Sequence, residues 1–205
     1  EIAFSFRDIQ KEVEVIEELV KRHSRIPARR VLEIGCGSAP HIAELVRRGY
    51  AYVGIDRNEA MLAAARKKAS ELGILAELWP ADLVRFTLPE PVDLALVLMG
   101  SLYVKNTQEL RFHFDALSGA LRPGGLYILD WCVDFVPATD MGQSWVQQRD
   151  GIQVVTTYRT VSLDRVEQTY RETVIMEVDD HGEHLRLTET AIKRAIYPQE
   201  FLLFI

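Results

Sequence analysis

Gly35, Gly37 and Asp56 are the residues whose types and spacing could do chemistry together. Two glycines one residue apart let a chain turn sharply and let another molecule approach the backbone without a Cβ in the way. A carboxylate about twenty residues further on is placed to bind ribose hydroxyls; Asp56 also reads as a cap for the helix starting near Asn58. The chemistry suggested is recognition of a nucleotide-like ligand at a helix N-terminus. The dinucleotide fingerprint G-x-G-x-x-G fails, because Pro40 stands at its third glycine. No Cys or Ser nucleophile has a matched base, and His113 reads as a surface or core helix residue. Cys36 and Cys132 are too few for a disulfide scaffold and lack Cys or His partners at metal-ligand spacing, so no metal site is expected.

The elements that must position these residues are readable in order. Asp8 is an N-cap for a helix to about Arg22, with Ile9, Val13, Ile16 and Val20 on one face. Val31, Leu32 and Ile34 suit a buried strand, and Pro40 suits the first turn of a helix whose apolar face is Ile42, Leu45 and Val46. Strand two runs from Tyr52 to Ile55, a helix from Asn58 to Leu72, and strand three from Leu75 to Trp79. Val92 to Leu98 is an almost wholly apolar fourth strand, and Met99-Gly100-Ser101-Leu102-Tyr103 follows at its carboxyl end, where ligands bind in open α/β sheets. Asn106 and Glu109 open the next helix, and Leu126 to Leu129 is strand five. Strands alternating with helices at this spacing predict an α/β, doubly wound, Rossmann-like and mostly parallel sheet.

Glu33-Ile34-Gly35-Cys36-Gly37, with an acid two positions before the first glycine, resembles the first motif of class I S-adenosylmethionine-dependent methyltransferases. Ala39 replaces a frequent third glycine of that family. The resemblance covers roughly Asp8 to Asp130 and implies S-adenosylmethionine as cofactor. Through it, Arg57 and Met61 correspond to residues flanking the adenine, although Met61 also has the spacing of a packing residue. Asp82, within Ala81-Asp82-Leu83, resembles the acid that accepts from the adenine amino group. The cofactor set implied is therefore Glu33, Gly35, Cys36, Gly37, Asp56, Arg57, Met61, Ala81, Asp82, Leu83, Met99 and Gly100. Leu121-Arg122-Pro123-Gly124-Gly125 resembles the family's structural turn into strand five.

From Ser144 the pattern changes to alternating, Val-, Thr- and Tyr-rich segments: Ser144–Arg149, Ile152–Thr160, Val166–Val178 and Leu185–Tyr197. Asp150-Gly151 and Asp179–Gly182 signal hairpin turns. An antiparallel meander is thus expected after strand five, where small-molecule methyltransferases similar to sugar-amine and glycine N-methyltransferases carry a cap over the active site. The expected division is a core over 1–142, a cap over 143–197 serving as substrate lid or homodimer interface, and the start of a returning core helix over 198–205. The family's closing helix and final hairpin are not in the sequence, and a more N-terminal segment that folds over the cofactor is also expected to be missing.

The implied reaction is methyl transfer to a small-molecule nitrogen, oxygen or carbon. A sulfonium methyl is already activated, so positioning and desolvation supply most of the catalysis and no catalytic residue is required. Trp131, just after strand five, is expected to line the substrate pocket or to pack, with Tyr103, Tyr170 and Glu189 as further substrate candidates. A non-catalytic module binding the same cofactor and a nicotinamide-dependent oxidoreductase are the rival readings. The 205 residues are 48% hydrophobic with net charge −6 and pI near 5.4. Such a chain buries one substantial core and lacks long-range attraction to nucleic acid. No apolar run reaches membrane-spanning length and no signal peptide is evident, so a cytoplasmic protein is expected.

Overall fold

The computed structural model describes residues 2–136 and 139–204. Glu1 and Ile205, which bound the domain limits expected above, lie outside the described residues. Five parallel strands carry the first half of the chain: β1 (Arg30–Ile34), β2 (Ala51–Asp56), β3 (Ala76–Pro80), β4 (Val92–Val97) and β5 (Leu121–Leu129). Their order is β3-β2-β1-β4-β5, so the winding reverses between β1 and β4. A crevice is therefore expected at the carboxyl ends of those strands.

Strand residues alternate between two cores, which is what a sheet covered on both faces requires. Val31, Tyr52, Leu94 and Leu96 pack with α1 (Ile9–His23), α2 (Ile42–Arg47) and α3 (Glu59–Glu71) through Val13, Ile16, Leu45, Ala65 and Ala69. Leu32, Val53, Ala95 and Val97 face the other way, against Leu110, Leu117 and Ala120 of α4 (Thr107–Ala120). Three helices begin where the sequence indicates. Asp8 accepts from the Lys11 N–H, Asn58 from those of Ala60 and Met61, and Asn106 from that of Glu109.

Several limits differ from expectation. Helix α2 starts at Ile42, and Pro40 lies in the turn before it, because Ala39 takes a left-handed φ of +50° that a helix cannot contain. Strand β5 starts at Leu121, with a register irregularity between Val92 and Leu94 that absorbs the Pro-Gly-Gly turn. The second sheet is antiparallel, in the order β6 (Met141–Arg149), β7 (Ile152–Asp164), β8 (Thr169–Asp180), β9 (Glu183–Arg194). Val166, expected in the third segment, is 88% exposed in the turn before β8, where Asp164 accepts from its N–H.

The two sheets are laced together near the root of β9. The Arg194 N–H donates to the Val104 carbonyl at 2.7 Å, and the Asp134 N–H donates to that of Ile196 at 2.7 Å. At the other end of the chain, a short 3-10 turn, Ile2–Phe4, packs on β6. There Trp145 donates to the Ala3 carbonyl at 2.7 Å. Among the described residues no helix is long and apolar enough to cross a membrane.

Candidate active site

A cavity of about 430 Å³ opens at the carboxyl ends of the parallel strands, over the crevice the topology creates. Gly35, Asp56, Arg57, Met61, Ala81, Asp82 and Leu83 line it, joined by Tyr103 and Glu189. The sequence reading had missed Asn58, Val84, Arg85, Ser101, Lys105 and Glu109, which complete the wall. Ser101 sits in the segment flagged after β4. The others are ordinary surface polar or apolar types that only the loops' curvature brings to the cleft.

Each wall is held by identifiable bonds. Gly35 has φ +70° and lies so close to Ser101 that a Cβ would stand 3.2 Å from the serine's own, so the loop after β1 and the loop after β4 touch there. Asp56 uses both oxygens on backbone, accepting from Gly37 N–H at 2.8 Å and Asn58 N–H at 2.8 Å. Sequence offered ribose binding or a helix cap; Asn58 is the cap of α3, and Asp56 fixes the glycine loop to the end of β2. Asp82 accepts from the Val84 N–H in a tight turn. His113, fully buried, bonds the Leu83 carbonyl at 2.8 Å and the Tyr127 hydroxyl at 2.7 Å, and so ties that turn to α4 and β5. Burial pulls its pKa below the usual imidazole value despite the Leu83 bond.

Some residues expected at the site stand elsewhere. The Glu33 side chain is 3% exposed, and its two oxygens meet His41 Nδ1 at 2.8 Å and accept from the Tyr52 hydroxyl at 2.6 Å. It buttresses the floor behind the glycine loop and does not line the cleft. The Cys36 thiol turns inward, toward Gly54 and the β2 layer, and burial pushes its pKa far up; its N–H is taken by the Ile55 carbonyl. Gly37 has φ +54° and open space where a Cβ would stand, but it too is outside the lining. Met61 is 46% exposed on the cleft wall, whereas Leu62 and Ala65 take the packing positions on α3, so the packing reading of Met61 fails on the phase of the helix.

Met99 and Gly100 form the turn after β4, with φ of +55° and +66°. They bond to Asp130 rather than face the cavity: Met99 N–H to its carboxylate, Gly100 N–H to its carbonyl. Trp131 is 79% exposed with φ +56° and belongs to neither the cleft lining nor a core, since the left-handed backbone swings its indole outward. Tyr170 is buried at the root of β8, behind the cavity wall. Among the described residues no group of three or more His, Cys, Asp or Glu is arranged to hold a metal.

Residues 31–125 match a family model described as a methyltransferase domain. Over 183 residues the chain is 27% identical to a dTDP-3-amino-3,4,6-trideoxy-alpha-D-glucopyranose N,N-dimethyltransferase of Streptomyces venezuelae, covering 88% of this chain and 73% of that one. A protein of Geobacillus sp. (strain WCH70) is 27% identical over 116 residues, and the match spans 56% of this chain but only 47% of that relative. In fold the chain is similar to DesVI of Streptomyces venezuelae, with a TM-score of 0.81 at 24% identity over 96% of this chain and 81% of that one. Residues 31–125 are thus similar to a methyltransferase domain, and the cleft opens at the carboxyl ends of the strands in that stretch.

Proposed function

We propose that this protein transfers a methyl group from S-adenosylmethionine to a small molecule, with an amino sugar as the acceptor class. The observation that carries the reading is the convergence of Gly35, Asp56 and Asp82 from three successive strand ends, with Met61 from α3, on one cavity. The cavity fits the group in size and in chemistry. Its volume is that of a small-molecule site, the Gly35 turn brings the glycine loop to the cavity wall, and each Asp56 oxygen keeps a second lone pair for a ribose hydroxyl. Met61 and Arg57 would flank the adenine and Asp82 would accept from its amino group. When bound, S-adenosylmethionine supplies a methyl already activated on a sulfonium.

The chain's own part is orientation and exclusion of water. Ser101 and Tyr103, past the end of β4, stand between the cofactor loops and the second sheet, where the acceptor would be oriented. The antiparallel sheet would serve as the lid over that end, with Glu189 of β9 on the cavity wall. The amino-sugar class rests on the Streptomyces dimethyltransferase, whose likeness over 88% of this chain reaches into the second sheet.

Calorimetry with S-adenosylhomocysteine and with NAD tests the cofactor. Micromolar binding of the former and none of the latter is expected, and the reverse would sink the reading. Mass-shift assays with dTDP-linked amino sugars test the acceptor class; methylation only of hydroxyl or carbon acceptors would replace it.

A further inference from the structure

Where the second sheet meets the core, one buried carboxylate gathers three donors. Glu172 of β8 is 5% exposed. Its Oε1 accepts from the Tyr103 hydroxyl, and its Oε2 accepts from the Tyr158 hydroxyl at 2.8 Å and from Lys193 Nζ at 3.3 Å. Lys193, itself 7% exposed, also donates to the Gly100 carbonyl at 2.7 Å and lies 4.3 Å from the centre of the Tyr103 ring. Register puts these groups on one face of the sheet: Tyr158 opposite Val174, which faces Glu189, and Tyr170 opposite Lys193, with Glu172 between. Of this cluster, Tyr103 and Glu189 reach the cavity.

A phenol has one proton to give. A carboxylate holding a lysine and two hydroxyls is an acceptor only, so the Tyr103 proton is committed to Glu172. Burial first, then Glu172, raises the Tyr103 pKa far above its ordinary value, so the proton stays in that bond. What the Tyr103 oxygen has left to offer the cavity is a lone pair. Charge-assisted polarisation by Glu172 makes that lone pair a stronger acceptor. Glu189, on the same wall, adds a negative charge. The two N–H bonds of a primary amine satisfy both acceptors of this wall, the single O–H of an alcohol satisfies one, and a carbonyl or carboxylate would set lone pair against lone pair. Lys193 does not offset this, since its ammonium is turned to Gly100 and Glu172.

We propose that Tyr103 is the acceptor-binding residue for an amine, its hydroxyl oxygen receiving an N–H of the nitrogen to be methylated, and that Glu172 is the positioning residue that fixes the hydroxyl in that sense. The inference rests on the methyltransferase reading and names the atom type at its acceptor end. Tyr158, Lys193, Tyr170, Asp134 and Glu189 are the other titratable groups around the pair.

The test is calorimetry on the full chain saturated with S-adenosylhomocysteine. Amines are titrated beside their alcohol partners: dTDP-3-amino-3,4,6-trideoxy-α-D-glucopyranose against dTDP-4,6-dideoxy-α-D-glucopyranose, and glucosamine against glucose. The wild type is expected to bind at least one amine above its alcohol partner. Tyr103→Phe should keep the ring and the S-adenosylhomocysteine affinity but lose about tenfold or more in amine affinity. Glu172→Gln, whose amide donates to one phenol, should turn a hydroxyl proton toward the cavity and narrow the amine-to-alcohol preference. Amine affinity unchanged in a Tyr103→Phe protein that still binds S-adenosylhomocysteine overturns the proposal, as does a wild type that binds no amine above its alcohol. A wild type that fails to bind S-adenosylhomocysteine overturns the methyltransferase reading beneath it, and is told apart by that first titration.

Discussion

Asp56 is asked to do two things by this fold. It closes the glycine loop through the Gly37 N–H and, in the proposed function, holds ribose. Asp56→Ala should therefore cost about 1–3 kcal/mol in S-adenosylhomocysteine affinity, and should also lower the melting temperature by a few degrees, since a backbone donor loses its acceptor. A melting curve superimposable on the wild type would reduce Asp56 to a ligand contact alone. Two buried histidines should bend the stability profile in opposite directions. His41 sits between Glu33 and Glu12; burial lowers its pKa, the two carboxylates raise it, and the net shift is upward. Its charged form is favoured by folding, so the stability it adds is full below about pH 6.5 and fades as pH rises through the folded-state pKa. His113 is shifted down, so its contribution is present above about pH 6.5 and is lost on acidification. In urea melts the gap between wild type and His41→Gln should shrink from pH 5.5 to 8.5, while the gap to His113→Gln should widen. Gaps that both stay flat would contradict the two environments.

At the scale of elements, the Pro-Gly-Gly irregularity within β5 is where the parallel sheet is least tolerant. A Cβ on Gly125 would stand 2.6 Å from the Asp93 carbonyl oxygen and 2.9 Å from that of Arg122, both backbone atoms that cannot rotate away. Asp93 in turn accepts from the Arg29 and Arg30 N–H groups and from Arg122, joining the starts of β1, β4 and β5. Gly125→Ala should cost about 1–3 kcal/mol of stability, read as a fall in the denaturant midpoint without change of slope. The sequence identified this turn, and it identified the caps Asp8 and Asn106, because such signals act within four residues of themselves; for α3 it offered Asp56, where Asn58 is the cap. It gave the sheet because alternation and spacing leave few ways to wind five strands. The partners of Glu33, on α2 and β2, were out of reach, since nothing local distinguishes a carboxylate facing a ligand from one facing His41 and Tyr52. Trp131 was misplaced for a related reason. Its position after β5 was read correctly, but its direction depends on a left-handed φ that no tryptophan announces.

Across the whole molecule, the two sheets divide the work by location. Asp56 ends β2 and Asp82 follows β3 of the parallel sheet, and Glu172, Glu189 and Lys193 belong to the antiparallel one. Exchanging residues 141–194 for a short linker should leave S-adenosylhomocysteine binding in place and remove amine binding, measured by paired calorimetric titrations. Sedimentation of the same protein settles whether that sheet also joins two copies: an unchanged coefficient per mass argues against an interface there. The sheet is fastened at its root, where Lys193 grips the Gly100 carbonyl and Arg194 the Val104 carbonyl, while the turns at Asp150-Gly151 and His181-Gly182 lie exposed at the far end. For anyone recombining related enzymes, that asymmetry sets the crossover points. A graft cut through the far turns carries new chemistry without disturbing the donor end, whereas one cut between Thr190 and Ile196 must bring its own β4–α4 loop, or the two parents will not share a seam.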